Sequence, residues 1–159
     1  MAKQVNLNIT SPLEMVFRKS VPIAQSQTIR NGQWFELDVN GNAVIGSATT
    51  KTSIPRFLAF NDSIAPDVTG TLPDGTSVSS GGMTGLIGTI EGNVTSNGYD
   101  VNYNGSPVAG SQLTVYSGKL AVAKHHDAVY AYAKAPIALA DGLLYFVGVS
   151  GYALHARML

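Results

Sequence analysis

The chain contains no cysteine, and charged residues occupy only 13% of its 159 positions. Without thiols it has no thiolate zinc site, iron–sulfur cluster, cysteine nucleophile or disulfide framework. Ten Lys and Arg balance ten Asp and Glu, so the formal charge is zero. There is then no basic field of the kind that binds nucleic acid by releasing counterions. Long apolar runs are also missing. The most apolar window, 142–149, has the length of a strand, far short of the roughly 18 residues of a membrane span. The amino terminus has one lysine, Lys3, followed by alternating polar and apolar residues where a signal peptide needs an unbroken apolar core. These features predict a soluble protein made in the cytoplasm, with neither membrane nor nucleic acid as partner. So sparse a charge does little to keep copies apart, which points to a surface covered by partners.

What is abundant is turn chemistry. Gly, Ser, Thr and Asn make up about a third of the chain, a composition that predicts an all-β fold rather than a helical one. Asn31-Gly32, Asn40-Gly41, Asp74-Gly75, Asn97-Gly98, Asn104-Gly105 and Asp141-Gly142 are dipeptides that accept the positive φ of tight hairpins. Around Asn40-Gly41 the flanks 34–39 and 42–45 read as paired strands. Tyr99, Val101 and Tyr103 alternate with polar residues as in a half-buried strand. Further strands are expected at 113–116, 120–123 and 143–149, the last apolar on both faces and so central or covered. Residues 127–135 fit either an Ala-rich helix begun at Asp127 or a strand, and the alternation of Val129, Ala131 and Ala133 favours the strand. Residues 61–85, with Pro66, Pro73 and a Gly/Ser-rich run, read as a long loop or a loosely paired excursion. Residues 1–31, with no evident hairpin partner, read as an extended amino-terminal arm, and 32–159 as one β domain. The fold class expected is an antiparallel β-barrel or sandwich.

Candidate chemistry is thin. His125-His126-Asp127 is the one cluster with metal-ligand character. On a strand its two histidines point to opposite faces, leaving two ligands where zinc takes three or four. A polar turn is the simpler reading, and His155 reads as structural. Glu36 and Asp38 lie on one face of a strand, and paired carboxylates are what glycosidases use, but catalytic pairs come from different strands and face each other across a cleft. These two alternate with Phe35 and Leu37 as the wet side of an amphipathic strand. Gly148 to Gly151 lacks the spacing of a nucleophile elbow, and Gly118-Lys119 lacks that of a phosphate loop. No catalytic, cofactor or metal residues are assigned. The aromatics Trp34, Phe35, Tyr99, Tyr103, Tyr116, Tyr130, Tyr132, Tyr145 and Tyr152 read as core packing in preference to a stacking platform.

The carboxyl half carries a pattern. YNGSPVAGSQLTV from Tyr103 to Val115 is followed by GKLAVA from Gly118, DAVYAYAKAP from Asp127 to Pro136 and LLYFVGVSGY from Leu143 to Tyr152. With Asp67-Val68 and Thr95 to Tyr99, this succession over residues 65–152 resembles the capsid decoration, or cement, proteins of tailed bacteriophages. The resemblance implies a non-enzymatic virion protein on the capsid exterior, made in the host cytoplasm. It would bind the major capsid protein and itself, as a trimer in preference to a dimer. Contacts to capsid or neighbouring subunits are then expected from the arm, at Val5, Leu7, Ile9, Met15 and Phe17, by strand addition. A tail, neck or fibre subunit and a carbohydrate-binding β module are the alternative readings.

Overall fold

A computed structural model describes residues 7–10, 16–24, 27–45, 56–64, 70–71, 77–78, 82–88 and 90–148. Among them are fifteen strands and no helix. In chain order these are β1 (Leu7–Ile9), β2 (Val16–Pro22), β3 (Thr28–Ile29), β4 (Trp34–Leu37), β5 (Ala43–Val44), β6 (Phe57–Ala59), β7 (Ser63–Ile64) and β8 (Gly70–Thr71). There follow β9 (Ser77–Val78), β10 (Gly82–Gly88), β11 (Glu91–Val94), β12 (Gln112–Tyr116), β13 (Lys119–Val122), β14 (Ala131–Ala133) and β15 (Leu144–Gly148). Six form one antiparallel sheet in the order β1-β11-β15-β14-β12-β13, and five a second in the order β2-β10-β6-β4-β5. The second sheet is curled: Ile23, just past β2, makes a parallel bridge to Ala43 of β5, and the Ala24 amide donates to the Ala43 carbonyl at 3.0 Å. The first strand of that sheet thereby returns toward its last.

Two hairpins follow from the turn residues. Between β4 and β5 the Asp38 carboxylate accepts from the amides of Asn40 and Asn42, each at 2.9 Å, while Gly41 takes φ 81°. The short acceptor side chain and the glycine supply what this turn needs. Between β12 and β13, Ser117 and Gly118 both have positive φ, 49° and 83°, as a two-residue hairpin matched to strand twist requires.

Side-chain alternation divides the core in two. Trp34 is paired with Leu58, and Leu58 with Leu86, so these three share one face of the curled sheet. They pack with Leu7, Val94, Leu113, Val115, Leu120, Ala131, Leu144 and Phe146 from the inner face of the six-stranded sheet. The opposite face presents Phe35, Phe57 and Ala59, which with Val21, Ile23, Ile29, Ala43 and Met83 fill the inside of the curl. Because this sheet is covered on both faces, Phe57, Leu58 and Ala59 are buried in succession.

Several expectations change here. Where described, residues 1–31 are strands of both sheets rather than a separate arm. β1 pairs with β11, and Leu7 is only 4% exposed, in the main core with Ile9 packed against it. Phe17 sits in β2 opposite Ile87, while Val5 and Met15 lie outside the described residues. Within 61–85, the Gly-rich end opens β10, which pairs with β2 over seven positions. Its glycine is a packing device: a Cβ on Gly85 would stand 2.5 Å from Phe35 Cζ and 2.6 Å from Phe57 Cβ. The Tyr99–Tyr103 stretch is not a strand. Tyr99 makes one bridge to Leu120, then the Asp100 carboxylate takes the Asn102 amide at 2.7 Å and turns the chain, an Asx turn competing with extension. In 127–135 there is no helix, and the strand is confined to β14. β15 lies between β11 and β14, its residues alternately buried and half-buried.

Candidate docking face

The register of the six-stranded sheet fixes what its outer face carries. Glu91 pairs with Val147, Val147 with Tyr132, and Tyr132 with Gln112, a row crossing four strands. Asn93 and Tyr145 lie in the next row. Since side chains alternate along a strand, Tyr145, Tyr132 and Tyr116 all stand on this face, opposite to inward Phe146, Ala131 and Val115. Tyr132 is 38% exposed, and Tyr145 and Tyr116 are half-buried. Lys134 Nζ reaches Glu91 Oε2 at 3.7 Å, both side chains half-exposed. That pair spans β15, which lies between their strands.

At the β12–β13 end, Tyr103 stacks on Tyr116 with centroids 4.6 Å apart and planes at 28°. Two contacts hold Tyr103: its hydroxyl donates to Asp127 Oδ2 at 2.8 Å, and Lys124 Nζ lies 4.3 Å from the ring centroid. The same Asp127 oxygen accepts the Lys124 amide at 2.8 Å. Asp127 is fully buried, so its carboxylate organises the corner from beneath. His125 and His126 are exposed on this turn, with ring centroids 3.7 Å apart and His126 at φ 72°. The turn brings the two rings together, where a strand would have separated them. Among the described residues no three His, Asp or Glu side chains are grouped for a metal ion, and His155 lies outside them.

A second polar cluster joins the layers. Arg56, 5% exposed, pairs through Nη2 with Glu36 Oε2 at 3.2 Å, and its Nη1 donates to the Tyr130 hydroxyl. Its guanidinium also lies 5.1 Å from the Tyr130 ring, which meets Trp34 at 6.1 Å. Glu36 is therefore tied to a buried arginine and not simply a wet-face residue, and Asp38 caps its turn. Pro55 and the apolar run after it give little hint of this role for Arg56. Trp34, Phe35 and Tyr130 are core, whereas Tyr132 and Tyr145 line the outer face, legible only once the register is known. Tyr99 donates from its hydroxyl to the Gly142 carbonyl at 2.8 Å. Its pKa is raised, by burial first and then by the nearby Asp141 carboxylate.

Comparison with known protein families, curated proteins and solved structures finds no match for this chain.

Proposed function

We propose that this protein is a virion structural protein that binds the outer surface of the mature phage capsid and stabilises it by bridging major capsid protein subunits. In this reading it is not an enzyme. It acts as a homo-oligomer, a trimer in preference to a dimer, on particles assembled in the host cytoplasm. The observation that carries the reading is the succession of segments from Tyr103 to Tyr152. What supports it further is that β12, β13, β14 and β15, drawn from those segments, lie in one sheet with an outward tyrosine-bearing face. A ligand that binds the mature lattice and not its dissociated subunits stabilises the lattice by mass action, about 2.7 kcal/mol per site at a hundredfold excess over Kd. Contacts to several capsid subunits at once would add effective concentration.

The test is to add the purified protein to particles assembled from the major capsid protein encoded with it. Expected are saturable occupancy, added density on the particle exterior by cryo-electron microscopy and a higher rupture temperature. Absence of binding to expanded particles, or equal affinity for unassembled capsid protein, would refute the proposal. Density confined to a tail, neck or fibre would move the protein to that part of the virion.

A further inference from the structure

Four Asn-Gly dipeptides fall among the described residues, at 31–32, 40–41, 97–98 and 104–105. Glycine has no side chain to shield its amide nitrogen, so in this pairing the nitrogen can close on the side-chain carbon of the asparagine before it. We propose that Asn40, on the β4–β5 turn, is a site of spontaneous deamidation in the folded protein, and that the fold protects the other three. The Gly41 nitrogen attacks Asn40 Cγ. A new N–C bond forms, the Cγ–Nδ2 bond breaks, and the Gly41 amide proton leaves with Nδ2 as ammonia. Water then opens the succinimide ring at either carbonyl, giving aspartate or isoaspartate, with nothing oxidised or reduced. The reaction needs no partner and is independent of the capsid reading.

All four glycine amides are hydrogen-bonded: Gly32 to the Ala59 carbonyl at 2.9 Å, Gly41 to Asp38 at 3.0 Å, Gly98 to Thr95 at 2.8 Å and Gly105 to Val101 at 3.1 Å. Each turn must therefore open before its nitrogen can attack, and the turns differ in what holds them shut. Ala59 is fully buried. Gly98 is buried as well, and a Cβ on it would stand 2.9 Å from the Gly32 carbonyl oxygen and 3.0 Å from Val94 Cβ. The turns at 31–32 and 97–98 thus rest on each other against the core. Side chains tie both: the Asn31 amide donates to Asp62 Oδ1 at 2.8 Å, and Gln33 Nε2 donates to the Asn97 carbonyl at 3.1 Å. Asn104 is exposed, but its Nδ2 donates to the Ala123 carbonyl at 3.2 Å, which restrains the group that must swing onto Gly105. Asn40 has neither restraint. It is exposed, follows a fully exposed Val39, and its side chain makes no hydrogen bond among the described residues. A Cβ on Gly41 would meet nothing within 4 Å. Local opening costs least where backbone hydrogen bonds lie in solvent with little packed around them. The product adds one negative charge to a chain of zero formal charge. It places that charge beside the Asp38 carboxylate, which already holds the amides of Asn40 and Asn42.

The experiment incubates the full chain at mildly alkaline pH and follows each asparagine by peptide mapping, with fragmentation that separates Asn31 from Asn40 and aspartate from isoaspartate. Conversion at Asn40 should run about tenfold faster than at Asn31, Asn97 or Asn104, the ratio that corresponds to an opening about 1.4 kcal/mol less costly. Asn40→Ser should abolish the main acidic species resolved by ion exchange, and Asn104→Ser should leave its rate of appearance unchanged. Circular dichroism verifies that both variants fold, and the mapping of the parent protein needs neither. In guanidinium chloride, where the turns are gone, the advantage of Asn40 should vanish. The same advantage in denaturant would trace it to local sequence and overturn the protection assigned to the fold. A folded protein in which Asn40 stays intact, or converts no faster than Asn104, overturns the proposal outright.

Discussion

At the scale of single residues, the molecule depends on a few groups placed where two surfaces meet. Arg56 joins the layers through Glu36 and Tyr130. Removing one partner of a buried ion pair leaves the other charge poorly solvated, which costs about 3–5 kcal/mol. Glu36 keeps 22% of its side chain exposed, so Arg56→Ala should fall at the low end of that range, about 3 kcal/mol by urea unfolding. Arg56→Met combined with Glu36→Leu should recover most of that loss, because no charge is left uncompensated. Tyr99 predicts an alkaline effect. Its raised pKa means the folded protein favours the neutral phenol, which donates to Gly142. The contribution is complete below the ordinary tyrosine value of 10.0 and is lost as pH rises through the higher folded value. Stability measured from pH 8 to 11.5 should therefore decline at the alkaline end, and less steeply in Tyr99→Phe.

At the scale of elements, β10 and β1 are the informative strands. The start of β10, 82–85, fell within the stretch read as a long loop or a loosely paired excursion, yet Gly85 is required by the Phe35–Phe57 stack, whose centroids lie 5.5 Å apart. A methyl group there must displace aromatic rings in a filled core. Gly85→Ala should cost about 1–3 kcal/mol in thermal or urea denaturation, as overpacking does. β1 makes the matching point at the amino terminus. Leu7→Ala should cost about 2–5 kcal/mol, the range for truncating a buried leucine. A partner-binding arm beginning at Leu7 would predict little change in stability. The hairpin at Asn40-Gly41 was legible in the sequence because a turn is decided between neighbouring residues. The partner of β1 was not, since Leu7 and Val94 are 87 positions apart and nothing local encodes that pairing.

At the scale of the whole molecule, the two layers give the tyrosines opposite fates. Tyr130 enters the core and Tyr132, two positions on, is 38% exposed, although period-two alternation by itself places both on one side. The backbone between them passes from irregular chain into β14 at Ala131, and there the strand register takes over. The composition and turn dipeptides determined by themselves that the chain is all-β, without thiol chemistry and with near-neutral charge, because such preferences act between adjacent residues. Only the tertiary structure decided that Glu36 serves a buried arginine, that Gly85 makes room for two aromatic rings and that Tyr145 and Tyr132 share an outer face. Each of those depends on which distant strands lie side by side, and that is set by burying both faces of one sheet at once.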